Sequence, residues 1–136
     1  MIHCSFYFVI VLGYTLRQAY EYTISATGIT IEPRKGSRQP EVRIRDSSYA
    51  DDIGLLSTSL SLAEDLLHSV ETAALSVGLQ LNTTKTELMT VNISGSVSVT
   101  SLSGKELKRV AQFKYLGSYL PNCFKDFQVR KAVAWD

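Results

Sequence analysis

Residues 42–57 have the sequence VRIRDSSYADDIGLLS, in which two adjacent carboxylates, Asp51 and Asp52, separate two strand-like runs. An acid pair is common in solvated turns, because the Asp side chain can bond to its own backbone. The apolar residues between Ile53 and Leu56 instead predict a buried strand leaving the turn. Neighbouring side chains of a regular strand face opposite ways, so the two carboxylates can hold one divalent ion only where the backbone bends. We therefore predict a tight hairpin with the acid pair at its tip.

The composition predicts one ordinary globular domain with no global attraction for nucleic acid. The chain has 136 residues, a formal net charge of +1 and 45% hydrophobic residues, which is typical of soluble globular proteins. Binding of a polyanion would therefore depend on local clusters. The candidate clusters are Arg34-Lys35 with Arg38, Arg43 with Arg45, and Lys105 with Lys108-Arg109. The alternative for each cluster is a set of solvated side chains on loops and edge strands.

The N-terminal region and the cysteines predict an intracellular protein, in the nucleus or the cytoplasm, that is not secreted and has no membrane partner. The apolar run at residues 6–12 is far shorter than the about 20 residues that span a bilayer. Residues 1–4 lack the charged start and cleavage site of a signal peptide. Cys4 and Cys123 do not form a close pair, which argues against a disulfide framework and against a zinc site.

The hydrophobic pattern predicts two main helices among short strands. We expect a largely buried helix at residues 6–20, a strand at 22–31 and an exposed loop at 33–40. A second helix begins near a capping pair, Ser61 and Glu64, and ends at Gly78. Its apolar positions recur at steps of three and four: Leu60, Ala63, Leu67, Val70, Ala74 and Val77. Its opposite face carries Glu64, Asp65, His68, Glu71 and Thr72, and we expect His68 to be solvated.

The remaining pattern predicts strands and one further helix. Strands are expected at 87–93, 97–100 and 107–120, with Gly104 in a turn, and helix-like residues follow at 124–136. The order of helix, strands, helix and strands predicts an α+β fold, with an antiparallel sheet packed on helices.

Three motifs give the chain a resemblance to the reverse transcriptases, and among these to the enzymes of non-LTR, LINE-like retrotransposons. The first is the Tyr-Ala-Asp-Asp signature at residues 49–52, the second is VGLQLNTTKTE at 77–87, and the third is FKYLGS at 113–118. They stand in the order of the family and near its usual spacing. Residues 6–19 resemble the palm helix before the acid hairpin, although Gly13 stands where relatives commonly carry an acid. Residues 46–48, Asp-Ser-Ser, also depart from the family pattern.

The resemblance implies a partial polymerase palm at residues 1–121 and the start of a thumb helix at 122–136. It implies Mg²⁺ in a two-metal site, with Asp51 as the principal ligand and Asp52 in support. Tyr49 and Ala50 would form the floor beneath the incoming nucleotide and the primer end. Lys85 would assist the departing pyrophosphate, and its alternative is an ordinary surface lysine. For the complete parent enzyme, the implied partners are an RNA template, a DNA primer and deoxynucleotides.

The third motif resembles the primer grip, in which a β-hairpin holds the primer backbone. The resemblance implies that Phe113, Tyr115, Leu116 and Gly117 bind substrate there. The alternative for the aromatic residues is a half-buried strand face, and both interpretations are compatible.

The family carries a third metal-binding aspartate well upstream of the acid hairpin, and that position would precede Met1. We therefore expect a fragment of a polymerase that is inactive alone. The alternative is a non-catalytic relic that binds nucleic acid or a protein partner weakly. A cation-binding domain of unrelated fold is disfavoured, because the acid pair lacks the regularly spaced oxygen ligands of a calcium loop. The oligomeric state is left open.

Overall fold

The structure is a computed structural model that describes residues 2–21, 28–49 and 52–120. These residues form two helices and eight short strands. In chain order the elements are α1 (Ile2–Glu21), β1 (Ile29–Glu32), β2 (Val42–Ile44), β3 (Asp46–Tyr49), β4 (Asp52–Leu55), α2 (Leu60–Ser76), β5 (Glu87–Met89), β6 (Lys108–Val110), β7 (Phe113–Tyr115) and β8 (Ser118–Leu120). The α+β fold class is confirmed. The helix-like residues 124–136, the thumb and most of the strand predicted at 22–31 lie outside the described residues.

The strands pair two by two within the described residues. β1–β2, β3–β4 and β7–β8 are antiparallel, as the sequence predicts, whereas β5–β6 is parallel. Parallel neighbours need a long crossover, and residues 90–107 supply it. Val99 and Leu107 of this crossover are buried. The burial of these apolar side chains stabilises the path by which the chain returns to the start of β5. The strand predicted at 97–100 is wrong: only an isolated bridge between Thr100 and Glu106 forms there.

The first core cluster packs α1 against α2. It contains Leu12, Leu16 and Ala19 of α1 and Leu66, Val70 and Ala73 of α2, with Ile53 and Leu55 of β4 packed against it. These positions follow the steps of three and four that place side chains on one helix face. The opposite face of α1 exposes Ile10, Val11 and Tyr14. The prediction of a largely buried helix is therefore wrong for that face.

The second core cluster lies beside α2 and holds Leu67, Val99 and Leu107, with Leu55, Leu60, Leu81 and Leu88 partly buried around it. Here the crossover covers part of the polar face of α2, at Glu64, His68 and Glu71, whereas Asp65 and Thr72 stay exposed. Glu64 and Glu71 accept the backbone N–H groups of Thr100 and Leu102, at 3.2 and 2.8 Å. His68 donates from Nε2 to the Thr100 carbonyl oxygen at 2.7 Å. The prediction of a solvated His68 is wrong, because the crossover covers this face and needs partners for its backbone.

The ends of α2 show which local signals were correct. Its N-cap is Ser59, whose Oγ accepts the N–H of Leu62 at 3.2 Å, so the predicted cap at Ser61 is wrong by two residues. At the other end Gly78 adopts φ +79, and the N–H groups of Gly78 and Leu79 donate to the carbonyl oxygens of Leu75 and Ala74. This is the Schellman arrangement that a glycine permits after a helix.

Within the described residues no helix is long and apolar enough to cross a membrane.

Candidate active site at the acid hairpin

The predicted acid hairpin forms. β3 and β4 pair in the register Asp46↔Leu55, Ser47↔Gly54, Ser48↔Ile53 and Tyr49↔Asp52. Tyr49 and Asp52 therefore face each other at the end of the ladder. Ala50 and Asp51, which connect them in sequence, lie outside the described residues.

The base of the hairpin is fixed, and the strand ends at Tyr49 and Asp52 are exposed. Leu56 donates its N–H to the Arg45 carbonyl oxygen at 2.7 Å, one step beyond the strands, and Ile53 and Leu55 pack on the first core cluster. At the other end Asp52 is exposed, and 66% of the Tyr49 surface is exposed. A large aromatic side chain and a carboxylate thus stand together where a ligand can reach both.

A second hairpin, β7–β8, contains the third motif. Leu116 and Gly117 form its turn with φ of +50 and +82, and Tyr115 pairs with Ser118 across it. Two consecutive positive φ angles are the signature of a type I′ turn, whose twist matches the strands that it joins. A left-handed conformation costs a residue other than glycine roughly 1 to 2 kcal/mol. Leu116 adopts it with 54% of its surface exposed at the tip.

Tyr115 joins the two hairpins. Its hydroxyl donates to the backbone carbonyl oxygen of Ser47 at 2.7 Å, across 68 residues of sequence. The edge of its ring lies about 4 Å from where a side chain of Gly54 would begin. Phe113 stacks beside it, with the ring centroids 6.2 Å apart. The hairpin that carries the first motif and the hairpin that carries the third are thus brought into contact, which no local signal in the sequence indicates.

The comparisons with known proteins bear on this pair of hairpins. A family model described as "Reverse transcriptase (RNA-dependent DNA polymerase)" matches residues 6–120. The chain belongs to the reverse transcriptase family. No curated protein matches it, and neither does any solved structure. The match includes both hairpins and the helix between them, so the resemblance is confirmed at the level of the family.

Reverse transcriptases generally use a divalent metal and act on a template and primer. Within 2–21, 28–49 and 52–120 no group of three acidic, histidine or cysteine side chains gathers into a metal site. Asp52 nevertheless suits a hard cation such as Mg²⁺, because its exposed carboxylate supplies oxygen ligands and Mg²⁺ takes most of its others from water and phosphates. Asp51, the predicted principal ligand, lies outside the described residues.

Lys85 stands in the second motif of the family, in a turn that Asn82 organises. The Asn82 carbonyl oxygen accepts the N–H groups of Lys85 and Thr86, at 3.1 and 3.0 Å, and its side chain accepts the Lys85 N–H at 3.2 Å. This arrangement leaves the Lys85 side chain exposed. No hydrogen bond or ion pair among the described residues joins it to the acid hairpin, so its role stays a prediction.

Below the acid hairpin lies a buried hydroxyl that the sequence did not single out. Burial raises the pKa of Tyr20, and the nearby Asp46 carboxylate raises this pKa further. The hydroxyl oxygen is enclosed, and within the described residues no hydrogen bond of ordinary geometry reaches it. Arg45 places its guanidinium 5.6 Å from the Tyr20 ring centroid. Tyr20 therefore links α1 to the start of β3. In the sequence, the one signal for the burial of this side chain is its position on the apolar stripe of α1.

Proposed function

We propose that this chain is the C-terminal palm portion of an RNA-directed DNA polymerase of the non-LTR, LINE-like retrotransposon type. In this proposal residues 1–121 belong to the palm and 122–136 begin the thumb. One observation carries the proposal: the Tyr115 hydroxyl bonds to Ser47, so the hairpin that resembles the primer grip is docked on the hairpin that carries the acid pair. A polymerase needs this adjacency, because the end of the primer must lie beside the metal ligands.

The reaction of the complete parent enzyme would be nucleotidyl transfer. The primer 3′ hydroxyl attacks the α-phosphorus of a deoxynucleoside triphosphate and forms the new phosphodiester bond. The bond from the α-phosphorus to the bridging oxygen breaks, pyrophosphate leaves, and the hydroxyl proton passes to water. Two Mg²⁺ ions would stabilise the attacking and the leaving oxygens. Asp51 and Asp52 would hold these ions.

The other side chains would bind and orient the substrates. Tyr49 and Ala50 would support the nucleotide base and the primer end, and Lys85 would balance charge on the pyrophosphate. The exposed turn at Leu116 and Gly117 would contact the primer backbone. An RNA template and a DNA primer would place the protein in the nucleus or the cytoplasm.

We infer further that the 136-residue chain does not extend primers by itself. The family resemblance requires a third carboxylate in an upstream motif, and no residue of this chain stands in a matching context. Purified chain incubated with primed RNA, Mg²⁺ and deoxynucleotides is expected to give no product. Extension that Asp51→Asn abolishes would contradict this inference, whereas extension that survives the substitution would come from a contaminating enzyme.

The metal site is testable without activity. Mn²⁺ is a paramagnetic substitute for Mg²⁺, so its electron paramagnetic resonance signal reports binding directly. We expect Asp51→Asn with Asp52→Asn to weaken Mn²⁺ binding at least tenfold, because carboxylates supply most of the protein's affinity for such ions. Asp65→Asn, at an exposed site on α2, is the matched control and should bind as the unaltered chain does. Equal Mn²⁺ binding by all three proteins would refute the acid pair as a metal site.

A second candidate function is a non-catalytic relic that binds nucleic acid or a protein partner weakly. The observation that favours it is the exposed apolar surface, which includes Ile10, Val11 and Tyr14 on α1. Surface of this kind often marks a protein interface. Binding of a primer–template without any specific Mn²⁺ binding would favour this alternative over a polymerase palm.

A further inference from the structure

The β1–β2 ribbon carries an exposed basic turn at residues 33–40, which we call the basic turn. Its sequence, PRKGSRQP, contains Arg34, Lys35 and Arg38 and no acid. All of its residues are exposed. Because the net charge of the whole chain is +1 and this turn holds three positive charges, the rest of the chain carries a net charge of −2. The basic turn is therefore a local positive site on an otherwise slightly acidic molecule.

The basic turn has a defined backbone. Gly36 and Gln39 form an antiparallel bridge, and the Gln39 N–H donates to the Gly36 carbonyl oxygen at 3.4 Å. The Nε of Arg34 donates to the same oxygen at 3.3 Å, so this side chain braces the turn. Lys35 and Arg38 lie directly before and within the bridged turn. A turn whose backbone is already ordered loses less conformational entropy on binding a ligand than a mobile turn does.

Among the described residues, the two acids that flank the basic turn, Glu32 and Glu41, form no ion pair with its cations. Glu41 already accepts hydrogen bonds from Thr30, at 2.7 Å, and from Arg43. These two hydrogen bonds lower the pKa of Glu41, with that from Thr30 as the larger cause. Among the described residues no ion pair reaches Arg34, Lys35 or Arg38. Their charge is available to an external anion.

The ribbon has a closely packed base, and it leads along the chain into the acid hairpin. Gly28 is buried against β2 with φ +92, and a Cβ there would lie 2.6 Å from the Ile44 carbonyl oxygen. Only Arg45 separates β2 from β3 of the acid hairpin. The basic turn is thus carried by a short ribbon that leads directly into the strand before the acid pair.

We propose that the basic turn is a binding site for the phosphodiester backbone of a nucleic acid, a site additional to the acid hairpin and the primer grip. The proposal rests on the proposed function, because template and primer are then the polyanions brought to the adjacent hairpin. The chemistry fits: guanidinium forks bind phosphate oxygens in pairs, and a lysine adds a point charge. An anionic membrane surface fits less well, since the basic turn has no large apolar side chain to bury among lipids.

The test measures how nucleic-acid binding depends on salt. The variant Arg34→Gln with Lys35→Gln and Arg38→Gln is compared with the unaltered chain by fluorescence anisotropy on single-stranded RNA, duplex DNA and an RNA–DNA hybrid. Each lost phosphate contact reduces the slope of log affinity against log salt by about 0.7 to 0.9. We expect a slope shallower by about 2 to 3 on every substrate, because the turn contacts backbone and not bases.

A matched control removes one exposed positive charge that lies outside every candidate cluster, through Arg17→Gln, and is compared with the single basic-turn variant Lys35→Gln, whose slope should fall by about 0.7 to 0.9. The Arg17→Gln control should keep the slope of the unaltered chain, and circular dichroism checks that all variants stay folded. Equal slopes for the unaltered chain and the triple basic-turn variant would overturn the proposal. So would equal losses in Arg17→Gln and Lys35→Gln, which would indicate unspecific charge attraction.

Two further outcomes separate this proposal from the proposed function. An unaltered chain that binds no nucleic acid at low salt overturns the basic turn as a site, while the Mn²⁺ measurement on the acid pair still tests the polymerase palm. Binding to phosphatidylserine vesicles that the basic-turn variant loses, with no binding to nucleic acid, overturns it in favour of a membrane contact.

Discussion

At the scale of single residues, Gly28 fixes where the ribbon starts. Its φ of +92 disfavours any side chain, and a Cβ there would lie 2.6 Å from the Ile44 carbonyl oxygen and 2.9 Å from Cγ of Arg45. We predict that Gly28→Ala lowers the free energy of unfolding by about 1 to 3 kcal/mol, the usual cost of a strained backbone. Urea denaturation followed by circular dichroism measures this.

The control for Gly28 is Gly36→Ala. A Cβ added at Gly36 would meet no atom within 4 Å, and the φ angle of this residue is not in the left-handed region. Its substitution should therefore change stability by less than about 0.5 kcal/mol. A Gly28→Ala variant as stable as Gly36→Ala would show that the backbone at the base of the ribbon accommodates a side chain with no loss of unfolding free energy.

Tyr115 acts as a positioning residue between the two hairpins. We predict that Tyr115→Phe destabilises the chain by about 1 kcal/mol, because it removes the hydroxyl that donates to Ser47. We also expect faster amide hydrogen exchange in β3 and β4, since the acid hairpin loses a contact. Tyr49→Phe removes a hydroxyl from a side chain that is 66% exposed and should alter neither quantity. If Tyr115→Phe left amide hydrogen exchange in β3 and β4 unchanged, the Tyr115 hydroxyl would not be what stabilises the acid hairpin.

At the scale of elements, α2 holds the crossover through its polar side chains. Glu71 is buried and accepts the Leu102 N–H at 2.8 Å. We predict that Glu71→Ala costs about 1 to 3 kcal/mol, because the hydrogen bond from the Leu102 N–H to the buried Glu71 side chain is lost. Glu71→Gln keeps a carbonyl oxygen in place and should cost clearly less in the same urea titration. Equal losses for the two variants would show that the hydrogen bond is not what holds residues 100–102.

The helix shows what periodicity can and cannot indicate. The steps of three and four at Leu67 and Val70 predicted α2 correctly, and Gly78 ends it as expected. The pattern also implied that His68 faces water, since a polar stripe is usually solvated. Instead His68 contacts Thr100. Which polar face another segment covers depends on the path of the crossover, and this path is not encoded in the spacing within the helix.

In the candidate site too, one part could be predicted from the sequence and another part could not. The apolar residues after the acid pair were enough to predict the β3–β4 hairpin, because burial of Ile53 and Leu55 fixes its base. The contact between Tyr115 and Ser47 could not be predicted, since it joins strands 68 residues apart. Motif order placed both hairpins in one family, but only the packing shows which hydroxyl connects them. The braced backbone of the basic turn is likewise a tertiary detail.

At the scale of the whole molecule, the ionisation of Tyr20 should make the free energy of unfolding depend on pH in the alkaline range. Burial and Asp46 raise its pKa in the folded state, while an unfolded tyrosine ionises near pH 10. Above about pH 10 the unfolded chain therefore binds fewer protons than the folded chain, and stability falls as pH rises. Below that pH the contribution is fully present.

The variant Tyr20→Phe isolates this effect. We predict that, as pH rises above about 10, the unaltered chain loses more free energy of unfolding than Tyr20→Phe does. Urea titrations at several pH values measure the difference in unfolding free energy between the two proteins, and Tyr49→Phe, which removes an exposed hydroxyl, is the control. A difference that stays constant across this range would mean that Tyr20 ionises equally in both states.

The exposed apolar surface predicts that the chain associates with itself. The ribbon exposes Ile29, Ile31, Val42 and Ile44, and within the described residues β1 and β2 pair only with each other. Exposed edges with β-branched side chains favour pairing between molecules. We predict an apparent mass that rises with protein concentration in sedimentation equilibrium.

Two matched substitutions locate the surface responsible. Ile31 and Leu75 are both 54% exposed, but Ile31 lies on the ribbon and Leu75 on α2. We expect Ile31→Gln to weaken self-association at least fivefold, because it places a polar group on the exposed strand, whereas Leu75→Gln should leave the association constant nearly unchanged. If Leu75→Gln weakened association as much, the contact would involve α2, and the ribbon would remain free to present its basic turn to a nucleic acid.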